Sequence, residues 1–146
     1  MRTRTRAALA AATTALLAAT AAPASAADGA PAGAVAWSAR HGTAAAEGHR
    51  WTEPGSTGLD RTLVIQGKLS NTGSGCYALW IRYTYDLAPA MPRKYAEVCG
   101  TGSVDVSLRH VYRPTTTGYL TVCRGTADTG DCGPWQNITW WPVRQG

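Results

Sequence analysis

The sequence predicts an all-β fold: an antiparallel β-sandwich or small barrel of six to seven strands, stapled by two disulfides. Three observations carry this. From Arg61 onward the apolar residues recur with period 2, and no helical apolar period follows the N-terminal segment. Gly and Pro interrupt the chain at roughly every tenth to fifteenth residue, the punctuation of short antiparallel strands. Four cysteines, Cys76, Cys99, Cys123 and Cys132, fall among those strands. Their even number suits a small domain that gains from covalent staples.

The elements follow in order. A short strand is expected around Val35 to Ala39, where Trp37 argues against a disordered tail, while Thr43 to Gly48, rich in Ala and Gly, reads as a loop. From Arg61, Leu63, Ile65 and Leu69 fall on one face, and Thr62, Gln66, Lys68 and Ser70 on the other, a half-buried strand. Asn71-Thr72-Gly73-Ser74-Gly75 is a turn cluster, and Cys76 to Asp86 alternates again, with Tyr77, Leu79, Ile81, Tyr83 and Tyr85 on one face. Two alternating runs around such a turn predict a hairpin. Pro89 and Pro92 make Leu87 to Lys94 a loop before a short strand at Tyr95 to Cys99. Further strands are expected at Ser103 to Tyr112, Tyr119 to Arg124 and Gln136 to Val143, and residues 35–146 form one domain. Phe is absent, so Trp and Tyr supply the aromatic mass, each with a polar atom that needs a partner when buried.

The first 26 residues read as an export leader. Arg2, Arg4 and Arg6 precede an Ala/Leu run that ends in Ala24-Ser25-Ala26, small residues at the cleavage positions. The mature chain then begins at Ala27, with residues 27–34 as a flexible lead-in. No later segment approaches the roughly 20 apolar residues of a membrane span. Of the 14 Lys and Arg, three lie in the leader, leaving 11 against 9 Asp and Glu, a mature charge of about +2. With only two lysines, Lys68 and Lys94, no basic stripe exists to neutralise phosphates, which removes the main support for nucleic-acid binding. In an oxidising compartment the cysteines read as disulfides. Of three possible pairings, the sequential one, Cys76 with Cys99 and Cys123 with Cys132, links neighbouring strand candidates most simply. With no CxxC pair, a zinc site is not expected.

Candidate sites are few. His41, His49 and His110 are the only imidazoles, and no nucleophile-elbow motif accompanies them, so no catalytic residue is assigned. Asp128-Thr129-Gly130-Asp131 has two carboxylates three apart but lacks the further ligands of a calcium loop and reads as a turn; no metal or cofactor is expected. Trp80 and Arg82 share one strand face; exposed, they would form a platform for a sugar ring or partner side chain, and buried, Trp80 would be core. Met91, Arg93 and Lys94 lie on the Pro-rich segment, which a Cys76–Cys99 bridge would brace. These five residues are the candidate binding set. Trp140 and Trp141, being adjacent, must face opposite ways on a strand. Asn137-Ile138-Thr139 matches a glycosylation sequon within a strand.

The Ala/Thr-rich leader, Asn71-Thr72-Gly73-Ser74-Gly75-Cys76-Tyr77 and Cys132-Gly133-Pro134-Trp135 resemble small secreted actinobacterial two-disulfide β-sandwich proteins. That likeness implies fold and export, not activity. A looser similarity is to the tendamistat class of small amylase inhibitors, whose Trp-Arg-Tyr triplet is interrupted here as Trp80-Ile81-Arg82-Tyr83, so no inhibitory residue transfers. The expected function is non-enzymatic binding of an extracellular protein or carbohydrate through an aromatic sheet face or a braced loop. An inhibitor of a secreted hydrolase is the alternative reading, and a small hydrolase with an unrecognised site a further one.

Overall fold

The computed structural model describes residues 29–55, 57 and 60–142. The leader and the predicted strand end at Val143 lie outside them. Seven strands are β1 (Val35–His41), β2 (Ala44–Pro54), β3 (Arg61–Asn71), β4 (Cys76–Tyr85), β6 (Arg93–Cys99), β7 (Gly102–Tyr112) and β8 (Thr117–Arg124); β5 (Ala88–Pro89) and β9 (Gln136–Asn137) have two residues each. They form two antiparallel sheets. The first has the order β1-β2-β3-β7; in the second β4 lies between β8 and the edge formed by β5 and β6, with β9 beyond β8.

The core lies between the sheets and is built by the period-2 faces. Leu63, Ile65 and Leu69 of β3 and Val106 and Leu108 of β7 meet Tyr77, Leu79, Ile81 and Tyr83 of β4 and Leu120 and Val122 of β8, with Ile138 as a plug. Cys76 lies directly opposite Cys99 on β4 and β6, and Cys123 opposite Cys132; both bridges form in the sequential pairing.

The expected β3–β4 hairpin does not form: β3 pairs with β2 and β7, and β4 with β6 and β8. Residues Thr72 to Gly75 instead cross from one sheet to the other. The Asn71 side chain holds that crossover, buried at 2% exposure. Its amide donates to the carbonyls of Gly73, Gly75 and Gly100, and its oxygen accepts from the Thr43 hydroxyl and the Gly73 N–H.

Three further expectations need correction. Thr43 to Gly48 is not a loop: Ala44 and Ala46 face the core, and β1 and β2 make a hairpin across Gly42-Thr43. Their small side chains hide the alternation, which Trp37 of β1 completes by filling the space over Gly67, where a Cβ would meet its ring. The Pro-rich segment is not wholly loop, since β5 pairs with the end of β4 and β6 starts at Arg93. The strand expected over Gln136 to Val143 stops at Asn137, whose side-chain oxygen accepts the N–H groups of Thr139 (2.8 Å) and Trp140 (2.7 Å), closing a turn. Beyond it Trp140 points outward, while Trp141 donates to the Tyr112 hydroxyl (3.2 Å) and lies under the buried Arg50 guanidinium.

A candidate binding cleft at one end of the sandwich

The antiparallel register brings the C-terminal ends of β4 and β7 to the end of the sandwich away from the Asn71 crossover. Tyr83 and His110, both inward-facing by alternation, stack across the gap with ring centroids 3.9 Å apart and planes within 6°. The Tyr85 hydroxyl shares a 2.5 Å hydrogen bond with His110 Nε2. Ile81, Tyr83, Tyr85, Ala90, Met91, Arg93, Tyr95 and His110 line a cleft of ≈ 270 Å³.

An irregularity in β6 puts the cation there. Ala96 lies opposite Leu79 and Lys94 opposite Trp80, so Tyr95 has no partner across the ladder, a β-bulge. Unbroken alternation from Val98 and Ala96 would turn Lys94 inward and Arg93 out. The extra residue inverts the phase. Arg93 reaches the inward side beside Ile81, and Lys94 stays outside, paired with Glu97 at 2.6 Å.

No carboxylate lines the cleft, and none of the ion pairs among the described residues involves Arg93. Burial holds the His110 imidazole below its ordinary pKa, and the nearby Arg93 charge adds to this. Burial pushes the Tyr83 phenol far up, with Tyr95 and Tyr85 adding to it. The Tyr83 hydroxyl is buried with no hydrogen-bond partner among the described residues, which costs free energy unless a ligand or water supplies one. The cleft is therefore aromatic and carries one cation, Arg93, with no ion-pair partner among the described residues.

Its rim is apolar. Asp86 and Leu87 turn β4 into β5 with φ of 46° and 71°, the left-handed region that a leucine occupies only at a cost of about 1–2 kcal/mol. Leu87, 94% exposed, stands at the tip of that turn, and Met91, 83% exposed, lies just beyond β5. Tyr85 and Tyr95 of the cleft and Val111 of the adjoining depression are exposed as well. Among the described residues, five of the seven exposed large apolar side chains thus gather at this end. Backbone strain at an exposed apolar tip points to a contact surface.

The structure divides the predicted binding residues. Met91 and Arg93 belong to the cleft and Lys94 does not. Trp80 is on the outward face of β4 yet only 8% exposed, packed with Ala78 under the Cys123–Cys132 bridge and Trp135. The arm that covers it is tied to β8: Gly133 N–H donates to Val122 O (2.9 Å) and the Thr121 hydroxyl to Gly133 O (2.8 Å). Trp80 therefore presents no open ring. Arg82 instead stacks on Trp135 at 4.3 Å and near Tyr119 at 5.3 Å. In the acidic loop Asp128 accepts from Gly130 N–H, and Asp131 pairs with His41 (2.7 Å) and Arg124 (3.8 Å). Among the described residues no three His, Cys, Asp or Glu side chains converge on a metal-sized site, and no helix is long and apolar enough to cross a membrane.

Sequence reasoning passed over Tyr83, Tyr85, Tyr95 and His110. The available signal was the aromatic run ending at Tyr85 and a histidine at the corresponding end of another strand. No family model, curated protein or solved structure matches the chain.

Proposed function

We propose that the chain is an exported, non-catalytic binding protein that docks an extracellular protein partner on the cleft end of the sandwich, with Leu87 and Met91 as apolar anchors and Arg93 meeting a carboxylate of the partner. The observation that carries this is the convergence of exposed apolar side chains around an aromatic cleft that holds an unmatched cation. Tyr, Met and Arg are the residues that dominate the centres of protein contacts, and a hairpin held by β4 presents them with little ordering cost. The leader-like N-terminus and the two bridges support export, because disulfides persist in oxidising compartments. His110 faces Tyr85 and Tyr83, and neither Ser nor Cys lines the cleft for it to activate, which favours binding over hydrolysis.

The test is capture from the producer's culture fluid by the tagged mature protein and by a Leu87→Asp/Met91→Asp variant. Both side chains are exposed, so the variant should fold normally. The reading expects a partner retained by the parent protein and lost from the variant. Equal retention by both, or no specific partner, would overturn it.

A further inference from the structure

The outward face of the first sheet carries a second, independent feature. Three depressions of ≈ 430, 460 and 390 Å³ abut there, the first sharing Trp51 with the second and Gly48 and His49 with the third. Register explains the surface. Ala36, His49, Gln66 and Ser107 are successive cross-strand partners, so a row crosses all four strands and is polar on three of them, with no Asp, Glu, Lys or Arg in it. The next row on one side is Trp51, Val64 and Arg109.

Val64 points outward yet is 1% exposed. Its cover comes from its row neighbours Trp51 and Arg109, which Glu53 draws together: Glu53 accepts from the indole N–H (2.9 Å) and pairs with the Arg109 guanidinium. The indole is pinned along the sheet and remains partly exposed. Gly48 and Gly67 lie opposite each other where the strands approach too closely for a Cβ on either; both fall on the core-facing phase, where Trp37 packs over Gly67, so only the backbone of this pair borders the groove beside Trp51.

From this arrangement we infer that the outward groove of the first sheet is a binding site for a neutral oligosaccharide chain, with Trp51 as the stacking platform and His49, Gln66 and Ser107 as hydrogen-bonding partners. A pyranose has an apolar C–H face that fits the electron-rich face of an indole, and a rim of hydroxyls that needs both donors and acceptors. The groove supplies that combination on a floor of paired strands held in place before binding, with residues 29–33 of the lead-in along one side. Its lining holds Glu47, Glu53 and Asp105, and the flanking Lys68 and Arg109 are already paired with Asp105 and Glu53, which suits hydroxyl donors and disfavours polyanions. Contiguous depressions fit a chain of several sugars better than a single one.

The inference stands apart from the cleft and is tested separately. The mature protein would be titrated with the hexasaccharides of cellulose, xylan, mannan and chitin, and with polygalacturonate as the acidic counterpart, following tryptophan fluorescence and binding heat. Saturable binding of at least one neutral chain is expected, weakened about tenfold or more by Trp51→Ala, severalfold by Gln66→Ala/Ser107→Ala, and unchanged by Leu87→Asp/Met91→Asp. Polygalacturonate should not bind. The exposed Gln66/Ser107 pair keeps the test valid if Trp51→Ala fails to fold. Absence of binding by every neutral chain at millimolar concentration, binding indifferent to the groove variants, or loss of a protein partner on Trp51→Ala would each overturn the assignment.

Discussion

Replacing Asn71 by Ala should be among the most damaging single changes outside the apolar core. The side chain reaches five hydrogen-bond partners at the crossover, its two amide hydrogens serving three carbonyls, one hydrogen being shared, and its oxygen accepting from two donors, in a buried position. A net hydrogen bond contributes about 1 kcal/mol, and a buried group left orphaned costs about 1–3 kcal/mol. Not all five partners are stranded: Gly75 O also accepts from Gly100 N–H, and water can reach the exposed turn at Thr72 to Gly75. The expected loss is therefore about 3–5 kcal/mol, a large part of the roughly 5–15 kcal/mol typical of a domain. Asn71→Asp should be no milder, since it places a carboxylate against three carbonyls. Thr43→Val, which removes one of the five bonds, should cost about 1 kcal/mol. Urea unfolding of the oxidised mature protein measures all three, with an unchanged slope showing that the denatured state is the same. A loss below about 1 kcal/mol for Asn71→Ala would refute the claim that this side chain fixes the passage between sheets.

Trp80→Ala should cost about 3–5 kcal/mol by opening a cavity under the Cys123–Cys132 arm, seen as a lowered urea midpoint; an exposed ring would cost far less. Replacing Cys123 and Cys132 by Ser should cost on the order of 2–3 kcal/mol from the chain-entropy effect of a short loop, and should raise acrylamide quenching of Trp80 and Trp135 fluorescence. His110, whose folded pKa lies below its ordinary value of 6.5, binds fewer protons folded than unfolded; stability should fall as pH drops from 6.5 toward the lower folded value. Thermal midpoints across that range should fall less for His110→Gln than for the parent. Leu87→Gly should raise stability by about 0.5–1 kcal/mol through relief of the left-handed leucine while weakening partner binding, so a gain in both would contradict the role given to the tip.

Most strand positions were legible because period-2 alternation reports which residues face a core: Leu63, Ile65 and Leu69, and Tyr77, Leu79, Ile81 and Tyr83, face inward as expected. Partnership between strands was not. Asn71 to Gly75 is the same turn-rich string whether it closes a hairpin or crosses between sheets, and the deciding contact, Asn71 to Gly100 O, spans 29 residues. The first hairpin was half hidden because Ala44 and Ala46 pack against the core without a strong apolar signature. In the site, Met91 and Arg93 were readable as exposed-looking residues on a Pro-rich segment. That Arg93 turns into the cleft and Lys94 away from it depends on the bulge at Tyr95, and His110 joins Tyr83 only through the packing of two sheets.

The central claim is that the cleft end meets the partner, and hydrogen–deuterium exchange on the captured complex tests it most directly. The account predicts slowed exchange in the complex over Tyr83 to Tyr95 and over Arg109 to Tyr112, with the Asn71 crossover and the outward groove of the first sheet unchanged. Protection confined to the groove strands, or to the Cys123–Cys132 arm, would contradict it.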